Sequence, residues 1–284
     1  MNDISNVKEN DISPTDLQID AKPFLRWAGG KQWFIMEILN LTKNLEYNNY
    51  YEPFLGGGSI FFALKPKKAF LSDLNFELIE TYKMVRWAPK KLTFYLKNYS
   101  NTEEEYYKIR EKQPKSNVER AARFIYLNKT SYNGVYRVNR NGDYNVPYGF
   151  RKKYNIDETN FLNVRSVLRK VKLTHGDFTC IEKNIVKNDL VFLDPPYTVS
   201  HNDNGFIEYN KKLFSLDDQK RLSELIDFIK SKEAYYIMTN AAHDEIKKIF
   251  NKGDRIIELK RSCTIGGLNS KREKITEYIF TNIN

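Results

Sequence analysis

Leu190-Val191-Phe192-Leu193 is a continuous apolar run that stops at Asp194-Pro195-Pro196-Tyr197, and no other stretch constrains the fold as tightly. A run without polar alternation suits a strand buried on both faces, as in parallel sheets covered by helices. Proline cannot extend the ladder, so the chain leaves the sheet there and delivers polar groups to the strand's C-terminal end, where open α/β sheets hold ligands. Ser215 and Asp218 predict a capping box, and Leu222, Leu225, Ile226 and Ile229 follow at helical spacing. Ala234 to Met238 predicts the next strand. These pieces form a strand, helix, strand unit, and the fold class expected is α/β with a parallel sheet.

Two earlier segments repeat the pattern. Tyr51-Glu52-Pro53-Phe54-Leu55 runs into Gly56-Gly57-Gly58 and then a helix-like Ser59 to Leu64, which reads equally as a plain structural turn or as one that lets a ligand approach the backbone at a helix N-terminus. It is not a P-loop, and Phe61 stands where a dinucleotide fingerprint needs its third glycine. Ala69 to Asp73 is an apolar run ending in an acid, the usual device for gripping a ribose diol. On Asp73 alone, an N-cap for the following helix is an equal reading. Pro23 to Lys31, with Trp27, two glycines and a lysine, reads either as a pocket wall or as a buried tryptophan before a helix.

The Asp194 motif carries more specific chemistry. Its prolines lack N–H donors and leave carbonyls free to accept, Asp194 adds a side-chain acceptor, and Tyr197 adds an aromatic face. Such a set suits the exocyclic amine of a planar base.

Charge points to the partner. The chain has 284 residues with 46 Lys+Arg and 36 Asp+Glu, net +10, which favours a polyanion. Residues 76–157 hold 17 Lys+Arg against 9 Asp+Glu and 11 of the 19 tyrosines, so nearly all of the excess lies there. This stretch reads as helices (TEEEYYKIREK, ERAARFIYLNK), then loops and a hairpin turning at Asn141-Gly142, a domain inserted into the α/β fold. Cys180 and Cys263 are too few for a disulfide scaffold, and with three histidines they offer no metal-site pattern. Cys263 reads as part of a surface glycine loop flanked by Lys and Arg, near the anionic partner, and His175, His201 and His243 as structural or exposed. Residues 1–20 carry five acids and one lysine without the hydrophobic centre of a signal peptide, and read as a disordered leader. No run reaches the length of a membrane span. A soluble, reduced, cytoplasmic monomer is expected.

The strings PFLRWAGGK, EPFLGGGS, LSDLN, SYNGVYRVNRNGDYNVPYG, HGDF and VFLDPPY, in that order, make the chain resemble the Dam-type (D12 class, alpha group) DNA adenine-N6 methyltransferases. The resemblance covers nearly everything after residue 20. It implies a class I S-adenosylmethionine-dependent methyltransferase fold, Rossmann-like, formed by 21–75 and 158–284, with 76–157 as a mainly helical target-recognition domain. It further implies that S-adenosylmethionine is bound by Trp27, Lys31, Glu52, Phe54, Gly56, Gly58, Asp73, Asp177, Phe178 and Asp194. In that reading Lys31 meets the cofactor's carboxylate, Asp73 its ribose, and Asp177 and Phe178 its adenine. Asp194, Pro195, Pro196 and Tyr197 would hold a flipped target adenine as the catalytic set, with no metal.

For double-stranded DNA the resemblance implies Tyr132 as a wedge, Asn133 on a phosphate, and Val135, Arg137, Pro147 and Arg26 on bases, with Asn139 in the same interface. GATC is the implied target, and a cognate restriction endonuclease an implied partner. The chain departs from the family where lysine is common at position 26 and where GRY usually stands at Gly149-Phe150-Arg151. An N4-cytosine enzyme usually has serine in place of Asp194, and RNA or protein-glutamine enzymes usually have asparagine; the basic insert also counts against the latter two. A non-catalytic DNA-binding protein is opposed by the intact glycine turn, Asp73 and Asp194. The ligand pattern of a zinc deaminase is absent.

Overall fold

Apolar residues two apart along each central strand fall into two separate clusters, which is how a sheet buried on both faces sorts its side chains. Tyr50, Leu71, Leu190, Phe192 and Ile237 pack on one face, and Tyr51, Val191, Leu193, Tyr236 and Met238 on the other. The computed structural model describes residues 20–27, 29–31, 34–139, 141–197, 214–262 and 274–284. The leader expected over 1–20, the Cys263 loop and His201 therefore lie almost wholly outside the described residues.

Among the described residues the sheet has seven strands, in the order β3-β2-β1-β4-β5-β7-β6. They are β1 (Tyr50–Glu52), β2 (Ala69–Asp73), β3 (Val171–His175), β4 (Leu190–Leu193), β5 (Tyr235–Ala241), β6 (Arg255–Ser262) and β7 (Lys274–Thr281). The first five pair in parallel, and β7 lies antiparallel between β5 and β6. This is a doubly wound α/β sheet, parallel in its first five strands, as the sequence led us to expect. The apolar run 190–193 is β4 to the residue.

Helices α1 (Ile35–Thr42), α2 (Ser59–Leu64), α3 (Phe76–Trp87) and α7 (Glu158–Leu168) belong to the first face. The second is covered by a 3₁₀ segment (Phe178–Asn184), α8 (Leu216–Ser231) and α9 (Asp244–Phe250). Helix α8 begins at the predicted box: Asp218 N–H donates to Ser215 Oγ at 3.1 Å and Ser215 N–H to Asp218 Oδ2 at 2.8 Å. Its four predicted core residues are buried. His243 caps α9, its Nδ1 accepting from Glu245 N–H.

Between β2 and α7 come α3, α4 (Pro89–Lys97), α5 (Glu103–Glu111), α6 (Asn117–Thr130) and the loops to 157. Leu92, Leu96, Tyr106, Ile109, Phe124, Ile125 and Tyr148 from this stretch join the same core cluster as the sheet's first face. The positively charged segment is thus packed onto the sheet and does not hang from a linker.

Candidate active site

Strand order decides which motifs meet. β1 and β4 are neighbours, with Tyr51 opposite Val191, while β2 continues on one side of the pair and β5 on the other. The chain reverses its direction of progress here, the topological switch where open α/β sheets bind ligands. The glycine turn after β1 and Asp194 after β4 lie side by side at this edge. Asp73 ends β2, Asp177 follows β3, and Asp73 O accepts from Gly176 N–H at 3.1 Å.

The glycine turn is held by contacts a side chain would break. Gly56 and Gly58 have φ of +47° and +69°, the left-handed region glycine enters freely. A Cβ on Gly56 would lie 2.6 Å from Trp27 Cδ1, and one on Gly58 would lie 2.9 Å from the Tyr82 hydroxyl. Gly56 N–H donates to Asp73 Oδ2 and Asn75 N–H to Asp73 Oδ1, each at 2.9 Å. The α3 cap is Asn75, whose side chain accepts from Leu78 N–H, so Asp73 is not the cap. Burial raises the pKa of Asp73, opposed by these N–H donors.

A carboxylate oxygen can accept more than one hydrogen bond, and Asp73 as a residue is half-buried. A diol-binding acid beside a glycine turn fits the nucleoside part of S-adenosylmethionine. Phe178 stacks on Phe54 with centroids 5.4 Å apart and lies under the Arg221 guanidinium at 4.9 Å. Asp177 Oδ1 accepts from Arg221, Thr179 N–H and Thr179 Oγ1.

Two residues of the implied cofactor set are deeply buried. Glu52 is 2% exposed; its Oε2 takes the Tyr50 hydroxyl at 2.7 Å and the Phe61 N–H at 3.1 Å, and burial pushes its pKa up to about 8. It braces the start of α2 from inside and offers no exposed surface to a ligand. Lys31 is also buried, and its ammonium lies 2.8 Å from Asp194 Oδ1 and 3.1 Å from Gly29 O. Among the described residues these two contacts leave one of its three donors for a carboxylate.

Asp194 is fixed from two sides. Leu193 is opposite Met238, so Asp194 lies next to Thr239, whose hydroxyl donates to Asp194 Oδ1 at 2.7 Å. Among the described residues, nothing donates to Oδ2. Tyr197 donates its hydroxyl to Glu277 Oε2 at 2.6 Å, and the Lys31 ammonium lies 4.9 Å from its ring centroid. Sequence reasoning missed Thr239 and Glu277, because both depend on which strands are neighbours. Thr239 alone had a signal, a polar residue near the end of a predicted strand.

The candidate DNA-binding residues gather at the end of α6. Asn128, 1% exposed, accepts from Arg26 N–H and donates to the carbonyls of Arg26 and Gly134. It ties the exposed Arg26 to the turn Tyr132–Gly134. This turn leans on 147–149: Tyr132 N–H donates to Pro147 O and Gly149 N–H to Thr130 O, both at 2.9 Å. Asn133 is left-handed at φ +55°, and Tyr132 projects with 58% of its surface exposed. Arg137 is held by Asn145 through its Nε and Nη2. Asn139 Oδ1 accepts from Asn141 and Asp143 N–H and closes the predicted turn, with Gly142 at φ +86°. Val135 is half-buried, and Asn139 and Pro147 are exposed. Asn128 was missed as well; a polar residue on the buried stripe of a predicted helix was the available sign.

Trp27 joins the two regions. It walls Gly56 and stacks on Tyr136 at 5.8 Å and on Phe124 at 6.3 Å, both from the basic segment.

A family model described as D12 class N6 adenine-specific DNA methyltransferase matches residues 27–265. The chain is 34% identical over 279 residues to the Type II methyltransferase M1.LlaDCHI of Lactococcus lactis subsp. cremoris, covering 93% of this chain and 96% of that one. It is 35% identical over 285 residues to the Type II methyltransferase M.MjaIII of Methanocaldococcus jannaschii, covering 92% and 98%. To the DNA adenine methylase of Escherichia coli it is 28% identical over 272 residues, covering 91% and 94%.

Proposed function

Since the chain belongs to the D12 class of N6 adenine-specific DNA methyltransferases, we propose that it methylates N6 of an adenine flipped out of duplex DNA, within GATC. Residues 76–157 serve as the target-recognition part, and the rest of the described chain as the catalytic part. Trp27, Lys31, Phe54, Gly56, Gly58, Asp73, Asp177 and Phe178 form the cofactor side, with Glu52 supporting the turn from behind. When bound, S-adenosylmethionine supplies a methyl group on a sulfonium, a strong leaving group that needs no metal.

The observation that carries this reading is the state of Asp194. Lys31 and Thr239 occupy Oδ1, which among the described residues leaves Oδ2 and the Pro195 carbonyl as acceptors at the switch point. An adenine amine is a poor nucleophile because its lone pair is delocalised into the ring. Accepting both its hydrogens favours the pyramidal nitrogen on which positive charge develops, and acceptors already in place need no reorganisation as the reaction proceeds. Holding the amine in line supplies much of the remaining acceleration. The base must first leave the stack at a cost of a few kcal/mol, which Tyr132 filling the gap and Tyr197 stacking on the base would offset.

Arg137, with its fork already oriented by Asn145, suits a guanine edge, and Arg26 stands beside the same turn. The Type II names of two relatives favour a role beside a restriction endonuclease. The test is incubation with S-adenosylmethionine and unmethylated duplex, mass spectrometry of the nucleosides and mapping of modified sites, with Asp194→Ala alongside. N6-methyladenine confined to GATC and made only by the parent is the expected result. N4-methylcytosine would overturn the base assignment, and another sequence the target assignment.

A further inference from the structure

Tyr197 is anchored by a strand from beyond the parallel part of the sheet. Its acceptor Glu277 lies on β7 opposite Ala241 of β5 and is 2% exposed. Because β7 runs antiparallel to β5, its early residues reach the end of the sheet where β4 and β5 finish. At the other end of the tyrosine, Pro195 and Pro196 stiffen the backbone. Burial, with the negative charges of Asp194 and Glu277, holds the phenol well above its ordinary pKa, so it keeps its proton and remains a donor. A carboxylate this deeply buried is expensive unless hydrogen-bonded, and the Tyr197 hydroxyl is one group that meets that need.

We propose that Glu277 is a positioning residue for methyl transfer, holding the Tyr197 ring through its hydroxyl in the orientation that receives the extruded adenine. This rests on the reading of Asp194 to Tyr197 as the base pocket. An untethered ring would have to be ordered when the base arrives, and that entropy would be taken from binding; a ring tethered in advance avoids it. In this role Glu277 acts through the Tyr197 hydroxyl and is not itself a reacting group.

The experiment compares the parent protein, Tyr197→Phe, Glu277→Ala, Glu277→Gln and the Tyr197→Phe/Glu277→Ala double variant. The readouts are steady-state methylation and the fluorescence of duplexes carrying 2-aminopurine at the target adenine. Each single change to Phe or Ala is expected to lower kcat about ten- to hundredfold, the range for a hydrogen bond to a charged group, with KM for S-adenosylmethionine unchanged. The double variant should be no worse than the poorer single one. Glu277→Gln, whose amide oxygen still accepts, should recover most of the loss. Bound 2-aminopurine should show a larger unstacked, bright component in Tyr197→Phe and Glu277→Ala than in the parent.

A parent that neither methylates adenine nor changes 2-aminopurine emission would overturn the base-pocket reading and this inference with it. A parent that does both, with losses that multiply in the double variant, would overturn the inference alone. Should Glu277→Ala not fold, Glu277→Asp, whose shorter side chain withdraws the acceptor from the hydroxyl, takes its place alone and combined with Tyr197→Phe.

Discussion

At the scale of single residues, the site depends on polar groups that hold other polar groups. Thr239 is the simplest case, because valine keeps its shape and removes only the hydroxyl that Asp194 accepts. Thr239→Val is expected to lower kcat about tenfold with little change in KM for DNA, as removal of a hydrogen bond to a charged group predicts. Steady-state kinetics on a duplex substrate would show it, and an unchanged kcat would remove Thr239 from the set that fixes Asp194. Glu52 makes a prediction about pH. Burial is the main reason its pKa rises from 4.5 to about 8. Between those values the unfolded chain releases a proton that the folded protein retains, so this residue lowers stability as pH rises through the window, and the loss is complete above about 8. Glu52→Gln removes the titration while keeping an acceptor for the Phe61 N–H. The urea midpoint of Glu52→Gln relative to the parent should therefore rise between pH 5 and pH 8; a constant difference would show that Glu52 is ionised throughout. Asp73 and Asp194 were legible in the sequence because each ends an apolar run. Thr239, Glu277 and Asn128 were not, because their partners are 45, 80 and 102 residues away in the chain.

At the scale of elements, strands and caps followed from local pattern, and the turn Tyr132–Gly134 only in part. β2 and β4 match their apolar runs, and α8 starts at its Ser215 box, because buried strands and N-caps are coded within a few residues. The Asn141-Gly142 turn was legible for the same reason. What the sequence did not reveal is that Tyr132–Gly134 rests on 147–149. Gly149 makes this possible: a Cβ there would lie 2.5 Å from Ser131 O and 2.9 Å from Tyr132 N. Gly149→Ala must push the two segments apart, and we expect it to cost about 1–3 kcal/mol of stability, as overpacking does. Because the displaced backbone carries Tyr132, kcat/KM for duplex DNA should fall as well. Urea unfolding and duplex kinetics together check this; a stable variant of full activity would mean that the turn does not need the contact.

At the scale of the whole molecule, charge and core are distributed differently. The net +10 is concentrated in 76–157, yet that stretch shares a hydrophobic cluster with the first face of the sheet. If the basic segment meets six or more phosphates, DNA affinity should fall roughly 10³-fold or more between 50 and 200 mM salt. Cofactor affinity, set by buried and half-buried groups, should change little. Fluorescence anisotropy and calorimetry over a salt series would separate the two, and parallel losses would place the cofactor site on the same exposed electrostatic surface. The sequence showed the charge segregation at once, but not the shared core, because composition says nothing about what packs on what. Trp27 expresses that sharing most directly, one indole lying against Gly56 on one side and against Phe124 and Tyr136 on the other. The stretch 76–157 is therefore not a cassette. A chimera that borrows it from a relative inherits a foreign set of rings against its own indole, so retargeting such an enzyme by segment exchange should succeed only when positions 27, 124 and 136 travel together.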